Sequence, residues 1–349
     1  MTESLGKLVP TNRAWKRSDL DVNRGWEVSF SQLELAQLEK AAKSLPADTS
    51  QWTDIDREGI DAPDLDKRIA LMRAEIGDGL GFSKISGFDS SRYDQDMLHR
   101  IYWVIAVMLG NVVAQNAKGE LIGYVEDLIG GRARGNDDRG YTSSDELRFH
   151  CDGGGVSALF CVRQAPEGGE NAIVSLFSVY NELLNNYPEH LEVLHRGFPL
   201  YLRKESGDGK EKGAVTDFRI PTFSETEGRM TAWLNLKLAE LASEVADSDY
   251  TARELAALKC IEEIAERDDM KFSFRLNPGE LVIINNFALM HKRSAFKDSD
   301  DVSKKRLMMR LWLNLYDAPQ PVRAVSAVGV GFPGVKPVIR AVAQTTRDQ

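Results

Sequence analysis

The 349-residue chain has few cysteines, no long apolar run and no excess of basic residues. Its three cysteines, Cys151, Cys161 and Cys260, form neither a CxxC pair nor an even-numbered disulfide framework, which indicates a reducing compartment. No apolar run approaches the ~18 residues of a membrane helix, and residues 1–20 lack the apolar segment of a signal peptide. The net charge of −9 argues against nucleic acid or an anionic membrane as the main partner. We therefore expect a cytoplasmic protein that acts on a small molecule.

The length of the chain allows either two domains or one large β-barrel with helical additions. A hydrophobic content of 42% and a charged content of 28% are those of an ordinary globular protein. The order of the segments favours one domain over residues 26–320, with a helical insertion near 225–268. Residues 1–25 are expected to form an N-terminal arm, and residues 321–349 a C-terminal tail.

Two periodicities of apolar side chains alternate along the chain. A period of three to four residues predicts helices over 29–44, 64–76, 94–109, 178–196, 231–246 and 251–267. Runs typical of strands, some with a period of two, cover 82–85, 147–152, 156–163, 171–176, 271–275, 281–285 and 306–315. Ser31 is expected to cap the first of these helices.

The strand predicted over 306–315 shows the strictest alternation. One face carries Leu307, Met309, Leu311, Leu313 and Leu315. The other carries Arg306, Met308, Arg310, Trp312 and Asn314. Because methionine and tryptophan are unusual on an open surface, this second face is expected to line a cavity that both arginines enter.

The step His150-Cys151-Asp152 lies on a predicted strand, so His150 and Asp152 point to the same side and can hold one ion together. A further histidine, His291, follows the apolar strand 281–285 and is expected just beyond its end, in a loop. Two imidazoles and one carboxylate match the facial triad of non-haem Fe(II) oxygenases, which leaves coordination positions open. Each element is weak by itself, but the combination predicts a metal site.

Such a site would bind 2-oxoglutarate and O2 at the open positions of Fe(II). The remote carboxylate of 2-oxoglutarate requires a fixed partner, and Arg306 is the candidate because arginine supplies a bidentate fork. Arg310 is suited to an anionic group on the substrate, with an internal ion pair as the alternative. Glu146 and Arg148, which share the parity of His150, either reach the substrate or pair with each other.

Four segments resemble the taurine dioxygenase / clavaminate synthase-like group of Fe(II)/2-oxoglutarate oxygenases: 146–152, 165–171, 278–298 and 306–313. The resemblance runs in order from about Gly81 to Leu315. It implies a mainly β fold with flanking helices, namely a double-stranded β-helix (jelly-roll) core of the clavaminate synthase-like type. It also implies that the triad lies at one mouth of the barrel, that Arg306 binds 2-oxoglutarate and that Arg310 lies near the substrate.

The chain departs from that group at two positions. Asn171 stands where the group often has Thr or Ser, whose hydroxyl helps to bind the cosubstrate. An amide can still donate a hydrogen bond, so Asn171 remains a candidate cosubstrate ligand. Cys151 stands where Thr is common, and it is expected to point away from the metal.

We therefore predict an oxygenase that hydroxylates a C–H bond of a small polar, anionic molecule. An amino acid or related carboxylate is the first choice, a sulfonate is the second, and a desaturase would use the same residues. A Zn²⁺ hydrolase at the same triad would leave Arg306 without a purpose, and a non-catalytic metabolite-binding jelly roll is a third class.

The sequence leaves open whether the chain is a homo-oligomer, since the predicted helices 231–246 and 251–267 have apolar faces for the barrel or for a second subunit. Substrate specificity is expected to depend on the loop 130–140, the glycine run 153–155 and the region 198–230.

Overall fold

The computed structural model describes residues 6–130, 135, 140–203, 213–245, 250–316, 318, 321–332 and 334–339. Its helices are α1 Asp19–Val22, α2 Gln32–Ser44, α3 Pro63–Asp78, α4 Gln95–Leu109, α5 Leu176–Asn186, α6 Leu191–Arg196, α7 Leu236–Val245, α8 Ala252–Ala265 and α9 Arg323–Gly329. Within the described ranges, no helix has both the length and the apolar character needed to cross a membrane.

The strands begin with β1 Glu27–Val28, β2 Phe82–Ile85, β3 Gly110–Val113, β4 Ile122–Val125, β5 Leu147–His150, β6 Val156–Arg163, β7 Glu167–Gly168, β8 Asn171–Ser175 and β9 Tyr201–Leu202. They continue with β10 Ala214–Val215, β11 Phe223–Thr226, β12 Arg229–Ala232, β13 Phe272–Phe274, β14 Leu281–Asn285, β15 Leu289–Arg293, β16 Phe296–Lys297 and β17 Leu307–Leu315.

Two sheets form the core of the molecule. The larger, seven-stranded sheet has the order β1-β2-β14-β6-β17-β3, and β4 also pairs with β17. The smaller sheet has four strands in the order β13-β8-β15-β5. One hydrophobic cluster includes Val282, Ile284 and Met308 of the large sheet together with Ile173 and Leu289 of the small one. Two sheets that pack face to face and carry flanking helices are the jelly-roll arrangement that the resemblance implied.

The strict alternation predicted for β17 is confirmed by burial. Met309, Leu311 and Leu313 belong to a second hydrophobic cluster, which the large sheet forms with α2, α3 and α4. Arg310 and Trp312 point to the opposite side and line a cavity. Arg306, which was expected to enter the same cavity, is not among the residues that line it. Alternate residues of a strand face opposite sides, so β17 separates a helix-covered core from the interior between the sheets.

Local signals fix the ends of several helices. Ser31 caps α2 as predicted: its hydroxyl accepts from the backbone N–H of Glu34, whose carboxylate accepts from the N–H of Ser31. Thr251 and Glu254 form the same reciprocal pair at the start of α8. Each cap satisfies N–H groups that would otherwise lack a partner in the first helical turn.

Two helix predictions were wrong in part. The helix predicted over 178–196 is broken into α5 and α6, because the turn around Pro188 interrupts the backbone hydrogen bonds. The helix predicted over 231–246 begins only at Leu236, since β12 pairs with β11 and occupies residues 229–232. Pairing with a neighbouring strand outweighs local helix propensity in the second case.

Parts of the predicted arm and tail pack on the core. Trp15, which lies within the arm predicted over 1–25, is fully buried, and its indole N–H donates to the carbonyl of Leu80 at 2.7 Å. Val325 of α9, within the tail predicted over 321–349, is buried as well. The division into arm, domain and tail stays a prediction.

Candidate metal centre and substrate cavity

Adjacent strands of the small sheet bring the two predicted histidine ligands together. His150 on β5 lies directly opposite His291 on β15, and their ring centroids are 4.4 Å apart. Paired residues of antiparallel strands point to the same side of a sheet. Ligand atoms of His150, Asp152 and His291 all lie within 4.8 Å of one another. The predicted loop position of His291 was wrong, because the residue is paired on both sides within a strand.

The carboxylate of Asp152 is held by side chains of the large sheet. Its Oδ2 accepts from the hydroxyl of Ser157 at 2.7 Å and from the indole N–H of Trp312 at 3.0 Å. Its Oδ1 lies 3.3 Å from Nη1 of Arg310. Burial alone would raise the pKa of Asp152. The Arg310 guanidinium, the hydrogen bond from Ser157 and, in acid where they are protonated, the two imidazoles outweigh burial and hold that pKa below its usual range. Asp152 is therefore ionised, as a metal ligand must be.

The two imidazoles are neutral at ordinary pH. Burial lowers the pKa of His150, and burial together with the neighbouring His150 lowers the pKa of His291 to about 3. Nδ1 of His150 lies 2.8 Å from the carbonyl oxygen of Arg148. Since a carbonyl only accepts, Nδ1 donates and Nε2 keeps its lone pair free for a metal. Two neutral imidazoles and one carboxylate form the donor set that suits Fe(II).

Arg306 and Asn171 present buried donors that have no hydrogen-bond partner in the part of the chain that the structure describes. Arg306 is 1% exposed; its Nε donates to Oε1 of Gln164 at 3.2 Å, and its guanidinium carbon lies 5.0 Å from the ring centre of Phe296. Its Nη1 and Nη2, like Nδ2 of Asn171, find no hydrogen-bond partner among the described residues. Burial lowers the pKa of Arg306 to about 10. A desolvated cation with a free fork fits the remote carboxylate of 2-oxoglutarate.

Gly169 lies so close to the side chain of Arg306 that a larger residue would not fit at this position. Gly169 has a φ of +76°, and a Cβ added there would lie 3.3 Å from Nε of Arg306. A side chain would strain the backbone and press against the guanidinium. Gly169 precedes Asn171 by two residues, and Asn171 lies opposite Arg293 in the strand that carries His291. The paired strands thus connect the Arg306 region with the candidate metal site.

Arg310 lies beside the metal site and also faces the cavity. Its Nε donates to Oε1 of Gln115 at 2.8 Å, and its guanidinium carbon lies 4.5 Å from the ring centre of Tyr141 and 4.7 Å from that of Trp312. Its contact with Asp152 is the internal ion pair considered as the alternative in the sequence. An anion bound by Arg310 would therefore lie close to the metal.

A cavity of about 460 Å³ opens at the triad. Such a volume is typical of a small-molecule site. Its wall includes His150 and Asp152, and it combines apolar and aromatic side chains with several cations. The aromatic part consists of Tyr141, Tyr201, Trp233, Trp312 and Phe332.

Glu146 and Arg148 both line this cavity but do not pair with each other. Arg148 binds Glu240 at 2.6 Å and Glu262 at 2.5 Å. Hydrogen bonds to these carboxylates raise the pKa of Arg148. The exposed carboxylate of Glu146 lies 3.6 Å from Nζ of Lys292. A substrate role for either residue stays a prediction, and the guanidinium of Arg148 is already engaged.

Several cavity residues were not predicted from the sequence. Trp233 and Lys237 come from the segment that was taken as one helix, while Val328 and Phe332 come from the predicted tail. The glycine run predicted to affect specificity contributes Gly153 to the wall. No local pattern marks these residues, because only the tertiary fold brings them to the triad.

The other two regions expected to set specificity, the loop 130–140 and the region 198–230, also contribute residues to the cavity wall. Gly140 of the loop 130–140 lines it, and residues 131–134 and 136–139 lie outside the described part of the chain. Leu200 and Arg203 of the region 198–230 line it as well, and residues 204–212 lie outside the described part.

Residues 43–312 match the family described as "Taurine catabolism dioxygenase TauD, TfdA family". Among curated proteins, the chain is 27% identical over 323 residues to FR-33289 synthase of Streptomyces rubellomurinus. That similarity covers 92% of this chain and 94% of the relative.

Solved structures of two oxygenases have a similar fold. Asparagine oxygenase in complex with Fe(II), hydroxyasparagine and succinate gives a TM-score of 0.63 at 17% identity, over 82% of this chain and 93% of that one. The non-heme iron oxygenase OrfP in complex with Fe and alpha-ketoglutaric acid gives 0.60 at 14% identity, over 82% and 94% of the two chains. These likenesses confirm the predicted fold class.

Proposed function

The chain belongs to the TauD, TfdA family of dioxygenases, and from this premise we propose that it is an Fe(II)/2-oxoglutarate oxygenase. It hydroxylates a C–H bond of a small polar, anionic substrate. The balanced reaction converts the substrate, 2-oxoglutarate and O2 into the hydroxylated product, succinate and CO2. One oxygen atom of O2 enters the product and the other enters succinate.

The observation that carries the proposal is that Nη1 and Nη2 of buried Arg306 have no hydrogen-bond partner among the described residues. Arg306 directly precedes β17, the strand whose Arg310 lies 3.3 Å from Asp152 of the histidine–carboxylate cluster. A buried cation without a partner is costly, so its retention indicates an anion that binds there. A dicarboxylic cosubstrate supplies that anion at one end and metal-binding oxygens at the other. A Zn²⁺ hydrolase would need no such cation, which disfavours the second class predicted from the sequence.

Each residue of the site receives a role in this proposal. His150, Asp152 and His291 hold the metal, while Arg306 and Asn171 bind 2-oxoglutarate. Fe(II), when bound with 2-oxoglutarate, supplies the oxidising power for the attack on the C–H bond. Ser157 and Trp312 orient the carboxylate of Asp152, as partners of metal ligands generally do.

The substrate enters the cavity beside Arg310, which binds its anionic group. The bulk of the wall is aromatic or aliphatic and excludes water from the reacting carbon. An amino acid or related carboxylate is the preferred substrate class; the similar fold of an asparagine oxygenase supports this choice. A sulfonate substrate or a desaturation outcome uses the same residues. Glu146 and Arg148 are candidate contacts at the mouth of the cavity.

Isotopic labelling tests this function. Under ¹⁸O₂, with Fe(II), 2-oxoglutarate and a panel of small anions, succinate is expected to gain one labelled oxygen. Asp152→Ala is expected to abolish succinate formation, because the metal loses its anionic ligand. Turnover of a substrate that needs neither O2 nor 2-oxoglutarate would contradict the proposal and support a hydrolase. Tight binding of a metabolite without any turnover would support a non-catalytic jelly roll.

A further inference from the structure

The charges that line the cavity are unevenly balanced. Arg148 is bound by Glu240 and Glu262, and Arg310 contacts Asp152. Lys237 also lines the cavity, but among the described residues it forms neither a hydrogen bond nor an ion pair. The wall therefore includes a lysine that no described residue pairs with.

The position of Lys237 is fixed relative to the metal site. The segment just before α7 is tied to the end of β5: the N–H of Cys151 donates to the carbonyl of Leu234 at 2.8 Å, and Nδ2 of Asn235 donates to the carbonyl of Cys151 at 3.3 Å. Asn235 also pairs with His150 through a β-bridge. Lys237 follows Asn235 by two residues, so the contacts of Asn235 with the end of β5 fix the backbone position of Lys237.

Lys237 and Arg310 approach the cavity from different elements. Arg310 comes from β17 of the large sheet, and Lys237 comes from the first turn of α7. The wall that they share contains Trp233, Trp312 and Leu238, all largely apolar. Arg148 and Arg203 line the cavity as well, but Arg148 is held by Glu240 and Glu262, and Arg203 also has an interaction of its own. Lys237 and Arg310 are therefore the two cations that we consider for a ligand, next to an apolar lining.

A free ammonium group on the substrate would find little support in this cavity. The described lining contains two carboxylates, Asp152 and Glu146. Asp152 belongs to the metal site, and the carboxylate of Glu146 lies 3.6 Å from Nζ of Lys292. An amino group would also be repelled by the unpaired charge of Lys237.

We propose that Lys237 is a second anion-binding residue of the substrate cavity, and that the substrate is an aliphatic molecule with two anionic groups and no free ammonium group. Each anionic group is a carboxylate, sulfonate or phosphonate. Arg310 binds the one next to the metal, so the oxidised carbon lies near that group, and Lys237 binds the other. This inference rests on the proposed function. Among the substrate classes named there, it selects a related carboxylate or a sulfonate over an amino acid with a free ammonium group, and it adds the requirement of a second anionic group.

The test compares matched anions with the intact protein. The protein is loaded anaerobically with Fe(II) and saturating 2-oxoglutarate, and its visible charge-transfer band is titrated with straight-chain α,ω-dicarboxylates, ω-sulfonato and ω-phosphono carboxylates, the matching monocarboxylates, and α-amino derivatives. Dianions of one chain length are expected to perturb the band at about tenfold lower concentration than monoanions or α-amino analogues. Saturating 2-oxoglutarate prevents the added dianions from competing for Arg306. A dianion that displaced 2-oxoglutarate would abolish the band, whereas a dianion bound beside it would only perturb the band.

Two variants of the same position sharpen the result. Lys237→Gln is expected to weaken dianions about tenfold and leave monoanions unchanged, whereas Lys237→Arg retains most of the preference. Lys259→Gln is the matched control, because Lys259 is 76% exposed on α8, where it pairs with Glu263. This control is expected to change neither class of ligand.

Equal affinity for monoanions and dianions would overturn the inference, as would a Lys237→Gln variant that weakens both classes equally. A band that forms but responds to no dianion would overturn this inference alone. Absence of the band under all conditions would instead overturn the proposed function on which it rests.

Discussion

Replacement of Arg306 by methionine should have opposite effects on stability and on ligand binding. Burial lowers the pKa of this guanidinium from 12.5 to about 10. At roughly 1.4 kcal/mol per pKa unit, the charge costs the ligand-free fold on the order of 3 kcal/mol. Because the folded pKa lies below the unfolded one, this cost applies wherever both states are protonated, which includes all pH values below about 10.

The substitution also removes favourable contacts. Loss of the hydrogen bond to Gln164 costs about 1 kcal/mol, and loss of the contact with the ring of Phe296 costs about 0.5 kcal/mol. The net expectation for Arg306→Met is an increase of about 1.5 kcal/mol in the free energy of unfolding without ligand. Urea unfolding of the metal-free protein, followed by tryptophan fluorescence, measures this value.

The same variant, Arg306→Met, is expected to bind 2-oxoglutarate much more weakly. A buried carboxylate deprived of its charged partner costs at least about 2 kcal/mol, which corresponds to a weakening of about 30-fold or more. Thermal unfolding with anaerobic Fe(II), with and without 2-oxoglutarate, is expected to show ligand stabilisation in the unaltered protein and little in the variant.

Arg148→Met is the matched control. Arg148 is paired with Glu240 and Glu262 and is half-buried, so its removal should destabilise the fold by about 1–2 kcal/mol. If Arg306→Met were instead several kcal/mol less stable than the unaltered protein, Arg306 would have an internal partner and the reasoning would be refuted. Unchanged stabilisation of the variant by 2-oxoglutarate would refute it as well.

Further substitutions test the surroundings of the site. Trp312→Phe removes the N–H that binds Oδ2 of Asp152 and is expected to weaken Fe(II) binding about tenfold in a direct titration; unchanged affinity would argue against an orienting role. Gly169→Ala introduces a methyl group 3.3 Å from Nε of Arg306 at a φ of +76°, so the KM for 2-oxoglutarate, read from succinate formation, should rise about tenfold. An unchanged KM would show that the guanidinium of Arg306 can shift without weakening the binding of 2-oxoglutarate. Asn171→Thr retains a donor and should keep the KM for 2-oxoglutarate, whereas Asn171→Val, which has none, should raise it about tenfold. Equal behaviour of these two variants would remove Asn171 from the cosubstrate site.

The parity of β17 shows what the sequence can establish about the site. Its alternation placed Arg310 and Trp312 on one face and Met309 and Leu311 on the other, and the structure confirms this division. The prediction succeeded because a strand with one face in a core must alternate strictly along its length.

The surroundings of the triad were harder to predict. His291 was expected in a loop because the strand 281–285 ends before it, but it lies in a separate strand, β15, which pairs with both β5 and β8. The partners of Arg148 lie on α7 and α8, far along the chain. Lys237 lies in the segment 231–246, which was predicted only as a helix and not as part of the site. Contacts between distant segments leave no trace in local periodicity, so the sequence could indicate the ligands but not the wall that surrounds them.

The central claim is that His150, Asp152 and His291 hold Fe(II) in contact with 2-oxoglutarate. Its most direct test is the visible absorption spectrum of the protein mixed anaerobically with Fe(II) and 2-oxoglutarate. A weak charge-transfer band is expected in the unaltered protein and should be lost in His291→Ala, which removes one of the three ligand side chains. A protein that binds both components but gives no band, and that forms no succinate in air, would contradict the account.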